Sequence, residues 1–286
     1  MKTPLAGFEM RAPTSVDAAL HLMASEPGVW RPFAGGTDLM VLMEAGKLPP
    51  GRYLSLRQLG ALRGIAIADD AVTLGALTTY TDVLRHELLG REFPLLCEAA
   101  RQTGGVATQN RGTIGGNIAN ASPAADTPPA LLVYDARIEL RSARGRRVVE
   151  YHSFHTGYKK MDIAADEIIS SITLPRRRQP WIATYRKVGT RRAQAIAKVC
   201  FAAALDVTAG TINDARIAFG SVAPTVKRCP HVEDALRGRR LGDSAVEAAL
   251  AQLSHDIAPI DDVRSTAKYR FAVARNLLAE FLRTPA

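Results

Sequence analysis

The chain has 286 residues, of which 47% are hydrophobic and 23% charged, and this ordinary composition argues against a mainly disordered, collagenous or coiled-coil protein. At roughly 100–200 residues per domain, the length suits one large domain or two ordinary ones. The net charge of +9 allows an anionic partner. However, the arginine-rich runs at 144–147 and 176–178 are short and carry no interleaved aromatic residues that would stack on bases. We interpret them as a hairpin turn and a domain linker, and we expect no nucleic-acid partner.

No metal site is predicted on this chain. The cysteines, Cys97, Cys200 and Cys229, are far apart, and no C-x-x-C pair occurs. Iron–sulfur clusters and structural zinc sites are held by clustered cysteines, so we expect neither on this chain alone. His152 and His155 are three residues apart without an evident third ligand, and we interpret them as surface or hydrogen-bonded residues.

The cellular location is predicted from the absence of a signal-peptide core and of a membrane-spanning apolar run. The first residues, MKTPLAGFEMRAPTS, have no apolar core of the kind that a signal peptide needs. No run approaches the ~18 apolar residues of a membrane span. Unpaired cysteines suit a reducing compartment. We therefore predict a cytoplasmic protein without a membrane span.

In the first half of the chain, apolar runs bounded by glycine, proline or aspartate predict short elements. The predicted strands are 29–34, 52–56, 65–67, 72–74, 138–141, 147–151 and 168–174. The predicted helices are 37–45, 95–102 and 124–134. The glycine-rich stretch 104–120 is assigned to neither state.

The second half begins after the charged, proline-bracketed segment 175–180, which we interpret as a domain boundary. Longer strands are predicted first, at 182–188, 195–207 and 212–222, and helices follow at 232–236, 244–253 and 265–282. In the last helix Tyr269, Val273, Leu277 and Phe281 recur every four residues, which predicts a core-facing stripe. Strands followed by helices are typical of the α+β class.

The first glycine motif is FAGGTDL at residues 33–39. A predicted strand enters Gly35 and Gly36, and a predicted helix begins at Thr37. Glycine has no Cβ, so a ligand can approach the backbone closely. Unpaired N–H groups at a helix start favour an anion such as a phosphate or pyrophosphate, to which Thr37 can also donate its hydroxyl. The alternative is an ordinary strand-to-helix turn capped by Thr37 or Asp38.

The second glycine motif spans residues 111–126 and crowds three glycines among small and polar residues. Such a stretch is a poor strand or helix, but it suits extended backbone wrapped around a polar ligand. Its polar side chains can donate and accept, and a carboxylate can accept from a ribose hydroxyl. The alternative is a surface loop, for which the apolar Ile114 and Ile118 have no evident purpose. We favour ligand binding.

Four segments of the chain resemble the FAD-binding medium subunit of the molybdenum hydroxylase family, which includes xanthine dehydrogenases, carbon monoxide dehydrogenase, quinoline oxidoreductases and 4-hydroxybenzoyl-CoA reductase. They occur in the family's order and spacing: AGGTDLM at 34–40, TIGGNIANASPAADTPPALLVYDARIEL at 113–140, DEIISSITLP at 166–175 and YRKVGTRRAQAIAKV at 185–199. The resemblance weakens after about residue 225.

This resemblance implies an α+β fold with two domains. Residues 1–175 would form an FAD-binding domain of the PCMH type, like that of vanillyl-alcohol oxidase, with subdomains at about 1–56 and 57–175. Residues 180–286 would form a C-terminal domain of antiparallel sheet and helices. FAD would lie extended between them.

The resemblance also implies roles along the cofactor. The pyrophosphate would be wrapped by Ala34, Gly35, Gly36, Thr37, Asp38 and Leu39, and Phe33 just before them would also belong to the cofactor site. The phosphates and ribityl chain would contact Thr113, Gly116, Asn117 and Asn120, and farther along the cofactor would lie Ser122 and Asp126. The isoalloxazine would lie near Ile169, and Lys187 would contact FAD from the C-terminal domain. Thr103 and Gly104 occupy positions where some relatives place an aromatic residue, for which Tyr185 is a possible substitute.

The implied activity is an electron relay rather than acid–base catalysis. Substrate would be hydroxylated at a molybdenum–pterin centre on a large subunit, and electrons would pass through 2Fe-2S clusters on a small subunit to FAD here. They would then leave for NAD⁺, oxygen or another acceptor. Lys187 or Arg191 could stabilise reduced flavin. A dimer of heterotrimers is the family's usual assembly.

Two other functions stay open on the sequence alone. One is a self-sufficient flavin oxidoreductase of related fold, with its own substrate pocket over the flavin. The other is a basic module that binds RNA or another polyanion. Co-purification with molybdenum and iron–sulfur subunits would separate the electron-transfer subunit from the self-sufficient enzyme. Flavin absorbance of the purified chain would separate both of them from the polyanion-binding module.

Overall fold

The computed structural model describes residues 7–177, 181–191 and 194–283. The boundary segment predicted at 175–180 therefore lies partly outside the described residues. Within the described ranges, no helix is both long and apolar enough to cross a membrane.

The first layer is a small parallel sheet with two helices. Its elements are β1 (Phe8–Arg11), α1 (Val16–Ser25), β2 (Trp30–Phe33), α2 (Leu39–Glu44) and β3 (Gly51–Ser55). The strand order is β1–β3–β2, so β3 lies in the middle and pairs in parallel with both neighbours. Helix α1 begins after Ser15, whose Oγ accepts a hydrogen bond from the N–H of Ala18.

The second layer is a five-stranded antiparallel sheet in the order β4–β5–β10–β6–β7, packed against a group of short helices. In chain order the elements are a 3₁₀ turn (Gly60–Leu62), β4 (Ile65–Ile67), β5 (Ala71–Gly75), α3 (Tyr80–Arg85), α4 (Glu87–Glu92), α5 (Pro94–Gln102), α6 (Val106–Arg111), α7 (Ile114–Ala119), α8 (Pro128–Val133), β6 (Arg137–Ser142), β7 (Gly145–Glu150), α9 (Tyr151–Phe154), β8 (His155–Gly157), β9 (Lys160–Met161) and β10 (Ile168–Pro175).

The third layer is an antiparallel sheet in the order β11–β12–β13–β14, followed by helices. Its elements are β11 (Ile182–Val188), β12 (Val199–Thr208), β13 (Thr211–Gly220), β14 (Lys227–Arg228), α10 (Pro230–Leu236), α11 (Asp243–Asp256) and α12 (Ala267–Arg283). The predicted α+β class is confirmed by this sheet-and-helix architecture.

Strand β12 is buried on both faces, which explains its continuous apolar sequence. Alternate side chains such as Phe201 and Leu205 join the core formed with the C-terminal helices. The intervening small residues, Cys200, Ala202 and Ala204, join the core of the preceding layer. Because strand side chains alternate with a period of two, this single strand joins the two halves of the chain.

The prediction for the stretch 104–120 is wrong, because the structure forms α6 and α7 there. Thr113 precedes α7, and its Oγ1 accepts from the N–H of Gly116 at 3.0 Å. Gly115 packs so tightly that a Cβ at this position would lie 2.7 Å from the backbone oxygen of Ala76. Local helix propensity is poor, but the cap and this close packing stabilise the helix.

The predicted stripe on the last helix is only partly correct. Leu277 and Phe281 are buried, but Tyr269 is 43% exposed and Arg270 is buried instead. Residues four apart on an α-helix drift by about 40° per step, so a strict four-residue repeat leaves the core-facing side within three steps.

Several further elements were not predicted, among them β1, α1, α3 and α4. For α3 a local signal exists, since Thr79 and Asp82 form reciprocal capping hydrogen bonds. Helices α3 and α4 are each six residues long, too short to show clear periodicity.

The turn leading into β10 depends on an ion pair. Arg147 on β7 donates to both carboxylate oxygens of Glu167, each at 2.8 Å, and the N–H of Ala164 donates to the same carboxylate. The hydrogen bonds from Arg147, with the Ala164 N–H and the positive charge nearby, hold the pKa of Glu167 below its ordinary value, despite its partial burial.

We expect Glu167→Gln to lower the free energy of unfolding by on the order of 1–3 kcal/mol at pH 7. A carboxyl whose folded-state pKa is lowered stabilises the protein above its unfolded pKa and loses that contribution as pH falls through the folded pKa. The difference from wild type in urea unfolding should therefore shrink below pH 4.5, the ordinary value for Glu. Glu247→Gln, at an exposed position on α11, is the control and should show no such difference. A difference for Glu167→Gln that persisted at acid pH would contradict this account.

Candidate functional site

The two glycine motifs predicted from the sequence line one cleft with a cavity volume of about 450 Å³. This lies within the roughly 300–1,000 Å³ typical of small-molecule sites. The β2–α2 turn, helix α7 and the beginning of β10 all contribute residues to its lining. Residues more than 80 positions apart in the sequence are thereby brought together.

Most of the residues assigned to FAD by resemblance line this cleft: Ala34, Gly35, Gly36, Thr37, Asp38, Leu39, Thr103, Thr113, Gly116, Asn117, Asn120 and Ile169. The structure places the others outside the lining: Phe33, Gly104, Ser122, Asp126, Tyr185 and Lys187. Contact of either group with the cofactor stays a prediction.

The glycines of the first motif are required by the protein's own packing. A Cβ on Gly35 would lie 1.9 Å from the backbone oxygen of Arg111, so this glycine lets the β2–α2 turn touch the segment before α7. Gly36 has φ +76°, and a Cβ there would lie 2.6 Å from the ring of Phe33. The ring of Phe33 thus packs against the turn at Gly36 and does not line the cleft.

The β2–α2 turn leaves several hydrogen-bond donors unused. Helix α2 begins at Leu39, later than predicted, and neither Thr37 nor Asp38 caps it through a side chain. Within the described ranges, the N–H groups of Gly35, Gly36 and Thr37 and the Thr37 hydroxyl have no hydrogen-bond partner. Adjacent unpaired donors of this kind suit the oxygens of a phosphate or pyrophosphate.

Helix α7 presents a second polar surface to the cleft. The Oδ1 of Asn117 accepts from the Thr127 hydroxyl at 2.6 Å, which orients the side-chain amide. The Nδ2 of Asn117 has no acceptor among the described residues and can donate to a ligand.

A chain of hydrogen bonds joins three separate segments at one end of the cleft. Asn120 donates through Nδ2 to Asp38 Oδ1 at 3.2 Å. Lys159 donates to Oδ1 of the same Asn120 at 2.7 Å and to its backbone oxygen. Burial lowers the pKa of Lys159; Asp38 opposes this effect, and the nearby Arg31 adds to it. An anionic ligand here would relieve the crowding of positive charge.

Lys159 and Arg31 were missed by sequence reasoning. Lys159 lies between β8 and β9 with φ +56°, outside both glycine motifs, and no local pattern indicates its contact with Asn120. Arg31 lies on β2 just before the first motif and lines the cleft.

The apolar end of the cleft is formed mainly by isoleucines. Ile163, Ile168, Ile169 and Ile196 all lie in its wall, together with the buried Tyr80. Ile196 is 55% exposed, which is high for an isoleucine. Such an exposed apolar side chain suits a surface that a flat apolar group of a ligand covers.

A buried ion pair adjoins the cleft through Thr103. Lys187 donates to Asp126 at 2.7 Å and to the backbone oxygen of Gln102 at 2.9 Å, and both charged side chains are at least 90% buried. The Tyr185 hydroxyl donates to the backbone oxygen of Asp126. Burial raises the pKa of Asp126, and the charge of Lys187 and its hydrogen bond oppose that rise. Lys187 and Tyr185 therefore tie β11 to the segment that follows α7.

The remaining candidates from the sequence take other roles. The Nε2 of His155 lies 3.0 Å from the backbone oxygen of Ile118, which agrees with the hydrogen-bonded role that we favoured. In the part of the chain that the structure describes, no group of three or more His, Cys, Asp or Glu residues is arranged to hold a metal ion. Ser122 Oγ accepts from the N–H of Ala124 and so shapes the turn after α7.

These features fit FAD. The unpaired amides of the turn, with Arg31 and Lys159 nearby, offer donors and positive charge to a pyrophosphate, and the isoleucine wall offers an apolar surface to a planar ring system.

We expect Gly35→Ala to abolish FAD binding and to lower the melting temperature, because the new methyl group would push the turn away from Arg111. Gly90→Ala on α4 is the control, since a Cβ there meets nothing within 4 Å. Flavin occupancy and thermal unfolding of both variants measure the effect. Full occupancy in a folded Gly35→Ala variant would show that the contact between the two motifs does not shape the site.

We expect Lys159→Met to weaken FAD binding about tenfold, which corresponds to about 1.4 kcal/mol. The variant loses both the hydrogen bonds to Asn120 and the positive charge at that end of the cleft. Lys160→Met, at the adjacent exposed position, is the matched control. Fluorescence titration of the FAD-free chain with FAD gives both affinities. Equal affinities for the two variants would exclude the proposed role of Lys159.

Comparison with known proteins gives consistent results for both halves of the chain. Residues 6–177 match the family model described as the FAD binding domain in molybdopterin dehydrogenase. Residues 183–284 match the model of the CO dehydrogenase flavoprotein C-terminal domain.

Individual proteins are similar over nearly the whole length. The xanthine dehydrogenase FAD-binding subunit of Escherichia coli O157:H7 is 32% identical over 269 residues, which cover 93% of this chain and 91% of that subunit. The carbon monoxide dehydrogenase medium chain of Hydrogenophaga pseudoflava is 29% identical and covers 96% of each chain. A solved structure of carbon monoxide dehydrogenase from Hydrogenophaga pseudoflava, lacking the Mo-pyranopterin moiety of its cofactor, superimposes with a TM-score of 0.93 at 30% identity, covering 98% of this chain and 96% of that one.

Proposed function

Since the chain belongs to the family of FAD-binding medium subunits of xanthine dehydrogenase- and carbon monoxide dehydrogenase-type oxidoreductases, we propose that it carries electrons within a heteromeric molybdenum hydroxylase. Electrons would arrive from 2Fe-2S clusters on a partner subunit and leave for NAD⁺ or another acceptor. The observation that supports this best is the cleft itself, which combines a pyrophosphate-type donor set with an apolar wall.

The residues of the cleft would hold the cofactor by its two chemically different ends. The amides of the β2–α2 turn, with the side chains of Thr37 and Asn117, would donate to the phosphates, and Lys159 would hold Asn120 and Asp38 in place. Ile169 and Ile196 would exclude water from one face of the ring system. When bound, FAD supplies the redox chemistry, because flavins transfer hydrides and single electrons.

The interior side of the site would be kept in position by the Asp126–Lys187 pair. Breaking a buried pair by removing one partner leaves an uncompensated charge, so each group restrains the other. Through Thr103 and Tyr185, the pair would keep β11 of the C-terminal domain close to the cleft. Contacts of Asp126, Ser122, Gly104, Tyr185 and Lys187 with bound FAD stay part of this proposal.

The other centres of the relay would lie on partner subunits. We propose a large subunit with the molybdopterin cofactor, a small subunit with the 2Fe-2S clusters, and a dimer of heterotrimers in the cytoplasm. Similar proteins are named medium chains or FAD-binding subunits, which supports an assembly of several subunits. The substrate of the complex would bind on the large subunit.

The proposal is tested by co-expressing this chain with its candidate partners and isolating the complex through a tag on this chain. We expect molybdenum, iron and FAD in the isolated complex. Under anaerobic conditions, substrate should bleach the visible flavin band only when all three subunits are present. The Gly35→Ala variant in the same complex is the control and should retain the metals but lose the flavin signal. If the isolated chain with FAD oxidised substrate without partners, it would instead be a self-sufficient oxidoreductase.

A further inference from the structure

A second cavity, of about 660 Å³, lies where the first 177 residues meet the C-terminal sheet. None of the described residues that line it also lines the FAD cleft. We propose that this cavity binds a small organic anion, a carboxylate or phosphate attached to an aromatic ring. Its apolar floor includes Pro94, Val133 and Ala204, and its rim carries arginines and an indole.

The arginines around the cavity are not equally neutralised. The charge of Arg176 is paired with that of Glu92, whose carboxylate accepts two hydrogen bonds from the Arg176 guanidinium at 2.7 and 2.6 Å. Arg91 has no hydrogen bond or ion pair with any residue in the described ranges. Asp69 contributes a carboxylate to the lining, but it has no hydrogen bond or ion pair with Arg91.

Arg177 also has few close hydrogen-bond acceptors among the described residues. It reaches Asp135 at 3.4 Å and the backbone oxygen of Val133 at 3.3 Å, which are long for charged hydrogen bonds. The same Asp135 accepts shorter bonds from Arg216 and Arg228. Arg216 and Arg228 each pair with a further acid, Asp214 and Glu233 respectively, whereas Arg177 pairs with no second acid among the described residues.

Burial and the charge of Arg216 lower the pKa of Arg177, while Asp135 opposes them. The direction agrees with the geometry of a partly buried guanidinium that makes two long hydrogen bonds. An anion placed between Arg177 and Arg91 would supply that charge. Arginine suits this role, because its planar donors match the oxygens of a carboxylate or phosphate.

The ring of the ligand is inferred from the aromatic and apolar surfaces of the cavity. The guanidinium carbon of Arg177 lies 3.8 Å from the ring centroid of Trp181, and that of Arg216 lies 5.9 Å from it. Tyr134 lies in the same wall, where its hydroxyl is already bonded to the N–H of Leu95. Arg177 already covers one face of the Trp181 ring, so a ligand's ring would pack on Pro94, Ala183 and the remaining indole surface. A bare inorganic anion would leave this apolar surface in water.

Such a ligand would bridge the two halves of the chain. Arg91 and Arg177 precede the C-terminal sheet, whereas Trp181, Ala183 and Ala204 belong to the segment leading into it or to the sheet itself. Binding would therefore stabilise the same apposition of domains that positions the FAD cleft. This inference is independent of the proposed electron relay.

The test uses the full chain saturated with FAD, so that the first cleft is filled, and isothermal titration calorimetry as the readout. The probes are AMP and benzoate, which combine a ring with an anion, inorganic phosphate, which has no ring, and adenosine and benzamide, which have no charge. We expect AMP or benzoate to bind at least tenfold more tightly than the corresponding incomplete probes. Failure of both AMP and benzoate to bind, or equal binding of phosphate, adenosine or benzamide, would overturn the proposal.

Variants locate the site. Arg91→Gln should weaken binding of the favoured probe at least tenfold and should still fold, because Arg91 is exposed. Arg85→Gln, another exposed arginine outside the cavity, is the matched control and should bind normally. Unchanged binding by Arg91→Gln would place the ligand elsewhere and overturn the proposal. The visible flavin absorbance of each variant shows separately whether FAD remains bound, so failure here is distinct from failure of the proposed function.

Discussion

The close backbone contact between the two glycine motifs is the constraint on which the site depends. Gly35 lies against the backbone of Arg111 at a distance that leaves no room for a Cβ. This contact brings the β2–α2 turn, with its unpaired amides, beside helix α7, with its polar side chains. The glycines therefore serve the protein's own packing first, and the cleft for the cofactor is its consequence.

Electrostatics act differently at the two ends of this arrangement. Around Lys159 and Arg31, positive charge is left partly uncompensated beside the unpaired amides, which suits a ligand that carries its own negative charge. Around Lys187 and Asp126, the charges are buried and paired with each other. A buried pair adds little net stability, but here it joins the C-terminal sheet to the segment that follows α7.

Local patterns predicted the strands better than the short helices. Strand β12 reads as one long apolar run because it is buried on both faces, and its existence follows from composition alone. Helix α7 could not be predicted in this way, since its glycines disfavour a helix and its stability comes from the Thr113 cap and from packing on Ala76. The exposed position of Tyr269 also could not be predicted from the local pattern, because a four-residue repeat does not match the helical period.

The sequence by itself determined the α+β class and the presence of two glycine motifs, because these follow from side-chain periodicity and from residue type. For those motifs it predicted a phosphate-bearing ligand, since glycine lacks a Cβ and lets a ligand approach the backbone. Only the tertiary structure decided that Lys159 supports Asn120 and Asp38, that Lys187 turns inward to Asp126, and that Arg91 and Arg177 border a second cavity. These contacts join residues far apart in the chain. No local pattern records them, since they exist only once the sheets and helices have packed together.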